Sequence, residues 1–414
     1  MKIFFTLDKQ TRNNFLILFI FGLLFWASVT SMLPTLPSYI KSVGGKDQQI
    51  GLVMGSFAIG LLICRSWLGK IADEKSRKEV ILIGTFVAAI APIGFALFTS
   101  IPILFALRAF HGISVAAFTT GYSALIVDLA PFAIRGEIIG YMSLVTPIGI
   151  AIGPALGGLL EEKIGYVALF LFGSLLGLIS TIGLTQIKEK REIYVKKNLS
   201  DDQTKENYVI KIFTNHALVI PSVVLLMIGF GMGGLTTFIP LYIKQTNIDF
   251  SAGLFYSMAA VASFISRLFT GKGSDRFGRG IFLAGSLISY TLAMLLLSQA
   301  KTSLHFLFAA ILEGMGTGTL LPMMIALLSD RSAPTERGRI FSLCVSGFDL
   351  GIAISAPLFG YLVGIFNYRG IFAICAGLSL MATLIFITQC SPTISHSLRF
   401  SLKGGKDLYK YEEN

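Results

Sequence analysis

The sequence predicts an all-α integral membrane protein, with twelve transmembrane helices in two pseudo-symmetric six-helix bundles. Three observations carry that expectation. The 414-residue chain is 54% hydrophobic and 14% charged, with a mean hydropathy of +0.74, too apolar for a soluble chain of this length. Twelve apolar stretches can be read, near 15–38, 50–68, 80–98, 101–127, 138–160, 167–187, 217–243, 252–268, 281–298, 304–328, 340–363 and 370–388, each close to the roughly 20 residues that one span needs. The chain also repeats itself at an offset of 202 residues. Gly149-Ile-Ala-Ile152 recurs as Gly351-Ile-Ala-Ile354, and the same shift carries Arg65 to Arg267, Gly69 to Gly271, Asp73 to Asp275, Arg77 to Arg279 and Asp128 to Asp330.

The organisation follows from the repeat. Residues 1–187 form an N-terminal six-helix bundle, 188–211 a densely charged linker, 212–390 the C-terminal bundle and 391–414 a polar tail. Lys2, Lys9 and Arg12 precede the first apolar run as in a signal peptide, but the run is long and the next span follows closely. An uncleaved first span is expected.

The net charge of +11 is distributed by side. Counted across alternate sides of the spans, 25 Lys and Arg lie on the side of both termini and 6 on the other. The positive-inside rule then places both termini in the cytoplasm. The basic balance is a topology signal, not a nucleic-acid footprint. Cys64, Cys344, Cys375 and Cys390 fall within spans or at their ends and imply no disulfide framework.

The first span carries Pro34-Thr-Leu-Pro37, with Ser28, Thr30, Ser31 and Thr35 but no acid. After the second span comes Gly69-Lys-Ile-Ala-Asp73-Glu-Lys-Ser-Arg77-Lys78, repeated as Gly271-Lys-Gly-Ser-Asp275-Arg276-Phe-Gly278-Arg279. These residue types suit a latch: a Gly for close helix approach, an Asp near a helix N-terminus and an Arg near a C-terminus. Asp128 and Asp330, closing the fourth and tenth spans, are natural partners for Arg77 and Arg279. In the first copy Ser76 replaces the Gly, and a left-handed turn there would be strained.

The fourth span holds Arg108-Ala-Phe-His111-Gly112, whose copies are Ala310, Glu313 and Gly314 at the first, fourth and fifth positions. An arginine in a span costs roughly 2.5–3.5 kcal/mol to insert and is expected to face the bundle interior or a water-filled cavity. Arg108 and His111, at i and i+3, share one helix face. Of the 23 acidic residues, only Glu313 and Asp349 fall well within spans. The protonation of an acid at that depth can follow conformation. Arg65 and Arg267, one turn before the loop glycines, are expected to snorkel to the interface.

The fifth span reads Gly149-Ile-Ala-Ile-Gly153-Pro154-Ala-Leu-Gly157-Gly158. Its glycines recur every fourth residue and form a smooth stripe for close helix packing. Pro154 removes a backbone hydrogen bond and offers a kink. The copy keeps Gly351 and then reads Ser355-Ala356-Pro357-Leu-Phe359-Gly360, a difference between halves that generic packing explains less easily.

Taken together, the chain resembles the major facilitator superfamily across about residues 15–390. The two loops resemble its signature G-x-x-x-D-(R/K)-x-G-(R/K)-(R/K), with Glu74 and Ser76 departing in the first copy. The fifth span looks like the G-x-x-x-G-P-x-x-G-G motif, and Arg108 to Gly112 like the R-x-x-(Q)-G motif, of its twelve-span drug:proton antiporters, with His111 where Gln is usual. The resemblance implies that the loop residues hold the outward-facing state closed on the cytoplasmic side.

It also implies proton-coupled efflux of a small, largely apolar molecule; the ionisable groups inside the spans place Arg108, His111, Glu313 and Asp349 in proton coupling or the substrate cavity. The missing acid in the first span weakens a cationic-drug reading. A bacterial-type plasma membrane, protons, a small-molecule substrate and a monomer are expected. Two alternatives stay open: a metabolite symporter or facilitator with Arg108 anchoring an anion, and a non-transporting receptor or scaffold. No metal cluster, nucleophile motif or phosphate loop appears, so neither an enzyme nor a cofactor is implied.

Overall fold

The computed structural model describes residues 7–131, 134–188, 214–333 and 337–411. Apart from Lys188, the linker read at 188–211 lies outside them. The described residues are helical almost throughout. In chain order the helices are α1 (Lys9–Ser31), α2 (Leu36–Ser42), α3 (Asp47–Glu74), α4 (Arg77–Leu97), α5 (Ile101–Leu129), α6 (Arg135–Met142), α7 (Val145–Ile164), α8 (Tyr166–Leu184), α9 (His216–Thr246), α10 (Ala252–Phe277), α11 (Arg279–Ser298), α12 (Ser303–Asp330), α13 (Arg337–Gln389) and α14 (Ile394–Lys403).

Two compact units result: Met1–Lys197 with Ser251–Ser257, and Asn198–Phe250 with Met258–Asn414. Among the described residues eleven helical stretches, not twelve, are long and apolar enough to cross a membrane. The last of them, Leu343–Gln389, has 47 residues. At about 1.5 Å of rise per residue it is more than twice as long as a hydrocarbon core of about 30 Å. It breaks at Asn367, whose φ of 52° and ψ of 179° are not helical. A Cβ on Gly234 would meet both Phe359, at 2.7 Å, and Cys375, at 3.2 Å. The chain therefore folds back at Asn367, and α13 supplies the two expected spans.

Prolines set the other interruptions. The first span is broken between α1 and α2 over residues 32–35, where Pro34 and Pro37 supply no amide hydrogen. The fifth span breaks between α6 and α7 at Ser143–Leu144. Pro147, four residues beyond Ser143, cannot donate to its carbonyl and crowds it. Pro154 lies inside the unbroken α7, so the expected kink at Pro154 is corrected to a break one turn before Pro147.

The repeat extends to backbone conformation. Gly44, with φ of 92°, corresponds at the first-loop offset of 203 to Asn247, with φ of 53°. Gly165, with φ of 97°, corresponds at 202 to Asn367. Asparagine is among the few side chains that tolerate the left-handed region, so both turns survive the loss of glycine. The third pair differs. Gly278 has φ of 87°, whereas Ser76 is extended at φ of −163° and caps α4, its hydroxyl accepting from the Glu79 amide at 3.1 Å. The expectation of strain at Ser76 is therefore wrong: the serine uses its side chain where the copy uses left-handed backbone.

In lipid there is little hydrophobic drive between helices, and small residues that allow close backbone approach carry the packing. In unit 1, α1 lies against α7 and α8, α3 against α5, and α4 against α5 and α8. In unit 2, α9 lies against α13, and α11 against α12 and α13. Polar side chains join the helices. The Ser28 hydroxyl donates to the Gly173 carbonyl at 2.6 Å, and that of Thr30 to Gly149 at 3.1 Å. Lys78 caps the end of α8, donating to the carbonyls of Thr185 and Ile187 at 2.6 and 2.7 Å.

The tail is not a loose polar segment. α14 packs on α11 and α13, with Ser397, Phe400 and Ser401 buried. Beyond it, Asp407 pairs with Arg331, and the Tyr411 amide donates to the Asp330 carbonyl at 2.8 Å.

Candidate functional site

In unit 1 the crossing of α3 and α5 places the intramembrane arginine. A Cβ on Gly112 would overlap the Phe57 carbonyl oxygen, and one on Gly60 that of Ala109. Only glycines allow these helices so close. The same crossing lays the Phe57 ring against Arg108, whose guanidinium carbon is 4.4 Å from the ring centroid. Arg108 is 4% exposed and His111 is fully buried. As their i, i+3 spacing requires, they meet: Arg108 NH1 lies 3.1 Å from His111 Nδ1. Phe57 and Phe95 hold the imidazole edge-on, with centroids at 5.7 and 6.1 Å. Two atoms of the pair, Arg108 Nε and His111 Nε2, are buried without a hydrogen-bond partner. Such atoms are costly unless a ligand or water completes them.

In unit 2 the corresponding crossing is kept, since a Cβ on Gly314 would overlap the Ala259 carbonyl. The charge is replaced. Ala310 and Glu313 are buried, Glu313 at 4% exposure, and no described cation of that unit forms a salt bridge with Glu313. The Thr317 hydroxyl donates to the Glu313 backbone carbonyl at 3.0 Å. Tyr290 on α11 is buried, its hydroxyl has no hydrogen-bond partner, and its Cβ would lie 3.0 Å from one added at Gly316, one turn along α12 from Glu313. Nothing in the sequence separates Tyr290 from the other 12 of the 13 tyrosines; only its depth and its neighbour do. Asp349 is half-buried and takes part in interactions of its own, so its setting differs from that of Glu313.

The loop motif closes one end of each unit. Arg77, the first residue of α4, bonds Asp73 through NH1 and Asp128 through Nε, the latter at 3.3 Å. It thereby ties the end of α3 to the end of α5. In unit 2 Arg279 Nε meets Asp330 at 2.8 Å. The side chain of Asp275, and what surrounds Gly271, lie outside the description, although both residues are in α10. A Cβ on Gly69 would meet nothing within 4 Å. Among the described residues the close approach expected at Gly69 is thus absent, and what joins the ends of α3, α4 and α5 is the charged cluster.

In α7, Gly149, Gly153 and Gly157 face α1. Added Cβ atoms would overlap the Trp26 Cβ, the Thr30 hydroxyl and the Ser31 carbonyl in turn. Gly158 points elsewhere and meets Gly253 of the same unit at 3.2 Å. Unit 2 makes the equivalent crossing of α13 with α9 by exchanging partners. Ser355, the copy of Gly153, stands against Gly233, the copy of Thr30; Phe359, the copy of Gly157, stands against Gly234, the copy of Ser31. The close crossing belongs to both halves; Gly351 keeps the place of Gly149, and the other two glycines have changed helix. The apparent one-sidedness of the motif is therefore an exchange of small and large residues across one interface.

Helices that satisfy their own backbone, apolar outer surfaces and ionisable groups buried in long apolar spans are those of a multi-pass membrane protein. The Major Facilitator Superfamily model matches residues 18–298 and 273–403, and the chain belongs to that superfamily. It is 28% identical over 382 residues to the multidrug resistance protein MdtG of Escherichia coli (strain K12 / DH10B), covering 89% of this chain and 92% of that one. In fold it resembles the nucleoside transporter NupG (TM-score 0.75, 18% identity, 90% of this chain and 98% of that one). It also resembles a bacterial homologue of the human lysosomal transporter Spinster, in an inward-facing occupied state (TM-score 0.76, 15% identity, 99% and 100% covered).

Proposed function

We propose that this chain is a proton-coupled exporter of a small, largely apolar molecule, working by alternating access in a bacterial-type plasma membrane with both termini cytoplasmic. The observation that carries the reading is Glu313, a carboxylate buried in a span, where such groups mark ion and proton pathways. Its repeat mate is the buried His111 of the Arg108 pair, so the halves share a scaffold and differ in charge. A proton moving down 100 mV supplies about 2.3 kcal/mol, enough for modest uphill export. Glu313 takes the proton, with Tyr290 beside it; Arg108 and His111 present polar atoms to the cargo; Asp349 is a second candidate carrier. The Arg77 and Arg279 clusters act as latches for the cytoplasmic ends of their units. The name of the MdtG relative supports a drug-like cargo.

The test is drug accumulation in inside-out vesicles. Glu313→Gln and Arg108→Ala are expected to abolish the pH-dependent uptake that the parent chain shows, and variants with unchanged rate and pH dependence would overturn the reading. A second reading, carriage of an anionic metabolite, is favoured by the uncapped Nε of Arg108, which suits a carboxylate or phosphate. Substrate-induced alkalinisation or acidification in loaded proteoliposomes separates symport from antiport.

A further inference from the structure

α14 divides its surface into three faces. Ser397, Phe400 and Ser401 are buried, and they spread over about 100° of the helix, at roughly 100° per residue. Ile394, Leu398 and Leu402, 63%, 39% and 52% exposed, recur every fourth residue and form an apolar stripe. His396, Arg399 and Lys403 are exposed and fill the remaining side. The three face centres stand about 120° apart. A helix lying in water beside a protein needs two faces, one apolar and one polar; a third, exposed and apolar, needs a further partner.

The surroundings of α14 identify that partner. Four residues separate it from the span that ends at Gln389. Its buried face rests on span ends. A Cβ on Gly280, at the start of α11, would overlap the Phe400 carbonyl, and one on Gly404 would overlap the carbonyl of Phe277, the last residue of α10. The Cys390 sulfur, at the end of α13, is 3.3 Å from the Ser401 hydroxyl. α14 therefore lies across the ends of three spans, and the end of a span is where hydrocarbon gives way to headgroups. The preceding span likewise exposes apolar side chains at Leu380, Met381 and Leu384. The cationic face points away from the exposed stripe, as at a membrane surface.

We propose that α14 is an interfacial helix, with Ile394, Leu398 and Leu402 set in the acyl boundary of the leaflet at which α13 ends, and Arg399 and Lys403 among headgroups and water. Leu398→Trp and Lys403→Trp are introduced separately into the full chain carrying Trp26→Phe and Trp67→Phe. The protein is reconstituted in nanodiscs of phosphatidylcholine and phosphatidylglycerol with brominated acyl chains. Emission from Leu398→Trp is expected to be quenched and that from Lys403→Trp spared. Equal quenching at the two positions overturns the proposal. So does an unquenched, blue-shifted Leu398→Trp, the result expected if a second protein copy covers the stripe.

A second measurement does not depend on the tryptophan background. A nitroxide on Ile394→Cys, in the chain carrying Cys64→Ser, is expected to relax faster with oxygen than with a water-soluble nickel chelate. The reverse order overturns the proposal.

Discussion

Arg331 and Asp407 form a two-point ion pair, Nε to Oδ2 at 2.8 Å and NH2 to Oδ1 at 3.0 Å, between the end of α12 and the tail. The arginine side chain is fully buried and that of the aspartate is 10% exposed. Arg331 also donates to the Ala217 carbonyl at 2.9 Å and the Cys390 carbonyl at 2.8 Å, and the Tyr409 ring lies 5.2 Å from its guanidinium carbon. One side chain thus ties the start of α9, the end of α13 and the tail together. Removing one partner leaves a buried charge, which costs about 3–5 kcal/mol. Asp407→Ala is expected to lower the melting temperature of the purified protein, and Arg331→Met with Asp407→Leu to recover most of the loss.

The glycine crossings predict a graded series. Gly112→Ala and Gly157→Ala force a methyl group into the Phe57 and Ser31 carbonyls, an overpacking worth about 1–3 kcal/mol. Gly69→Ala meets open space and is expected to leave folding and transport unchanged. Yield of monodisperse protein and melting temperature rank the three.

At the paired turns the repeat can be exchanged. Ser76→Ala removes the α4 cap and is expected to cost about 1 kcal/mol, whereas Ser76→Gly costs a few tenths. Gly278→Ser must hold a side chain at φ of 87°, at a cost of about 1–2 kcal/mol. Thermal unfolding of the three variants checks the order.

Arg108 is held by geometry as well as charge. Arg108→Lys keeps the cation but loses the planar contact with Phe57 and the bond to His111, so it is expected to lose most transport. His111→Gln, which keeps a side chain able to accept from Arg108, is expected to retain more activity than His111→Ala. Initial rates in proteoliposomes decide both comparisons.

The architecture was open to reading because it is written in periodicity and repetition: span lengths, the charge bias between sides and the 202-residue offset each survive without tertiary knowledge. So did the placement of Arg108, His111 and Glu313, since a charge inside an apolar run is conspicuous. What escaped depends on which residue faces which. The exchange of Gly153 and Gly157 for Gly233 and Gly234 cannot be seen from α7 alone, because packing is a property of the pair. Ser76 was misjudged because its conformation was inferred from the glycine in the other copy. The tail read as polar because Asp407 meets its partner only when Arg331, 76 residues earlier, is brought to it. Tyr290 carries no signal beyond being one apolar-flanked aromatic among many.

The single-residue fold-back at Asn367 has a mechanical outcome. With no loop between its arms, α13 behaves as a tuning fork. Movement of the first arm along α9 is expected to carry the second with it, and four residues separate the second from the helix that rests on the span ends. Movement at the crossing of α9 and α13 is therefore expected to be felt at α14.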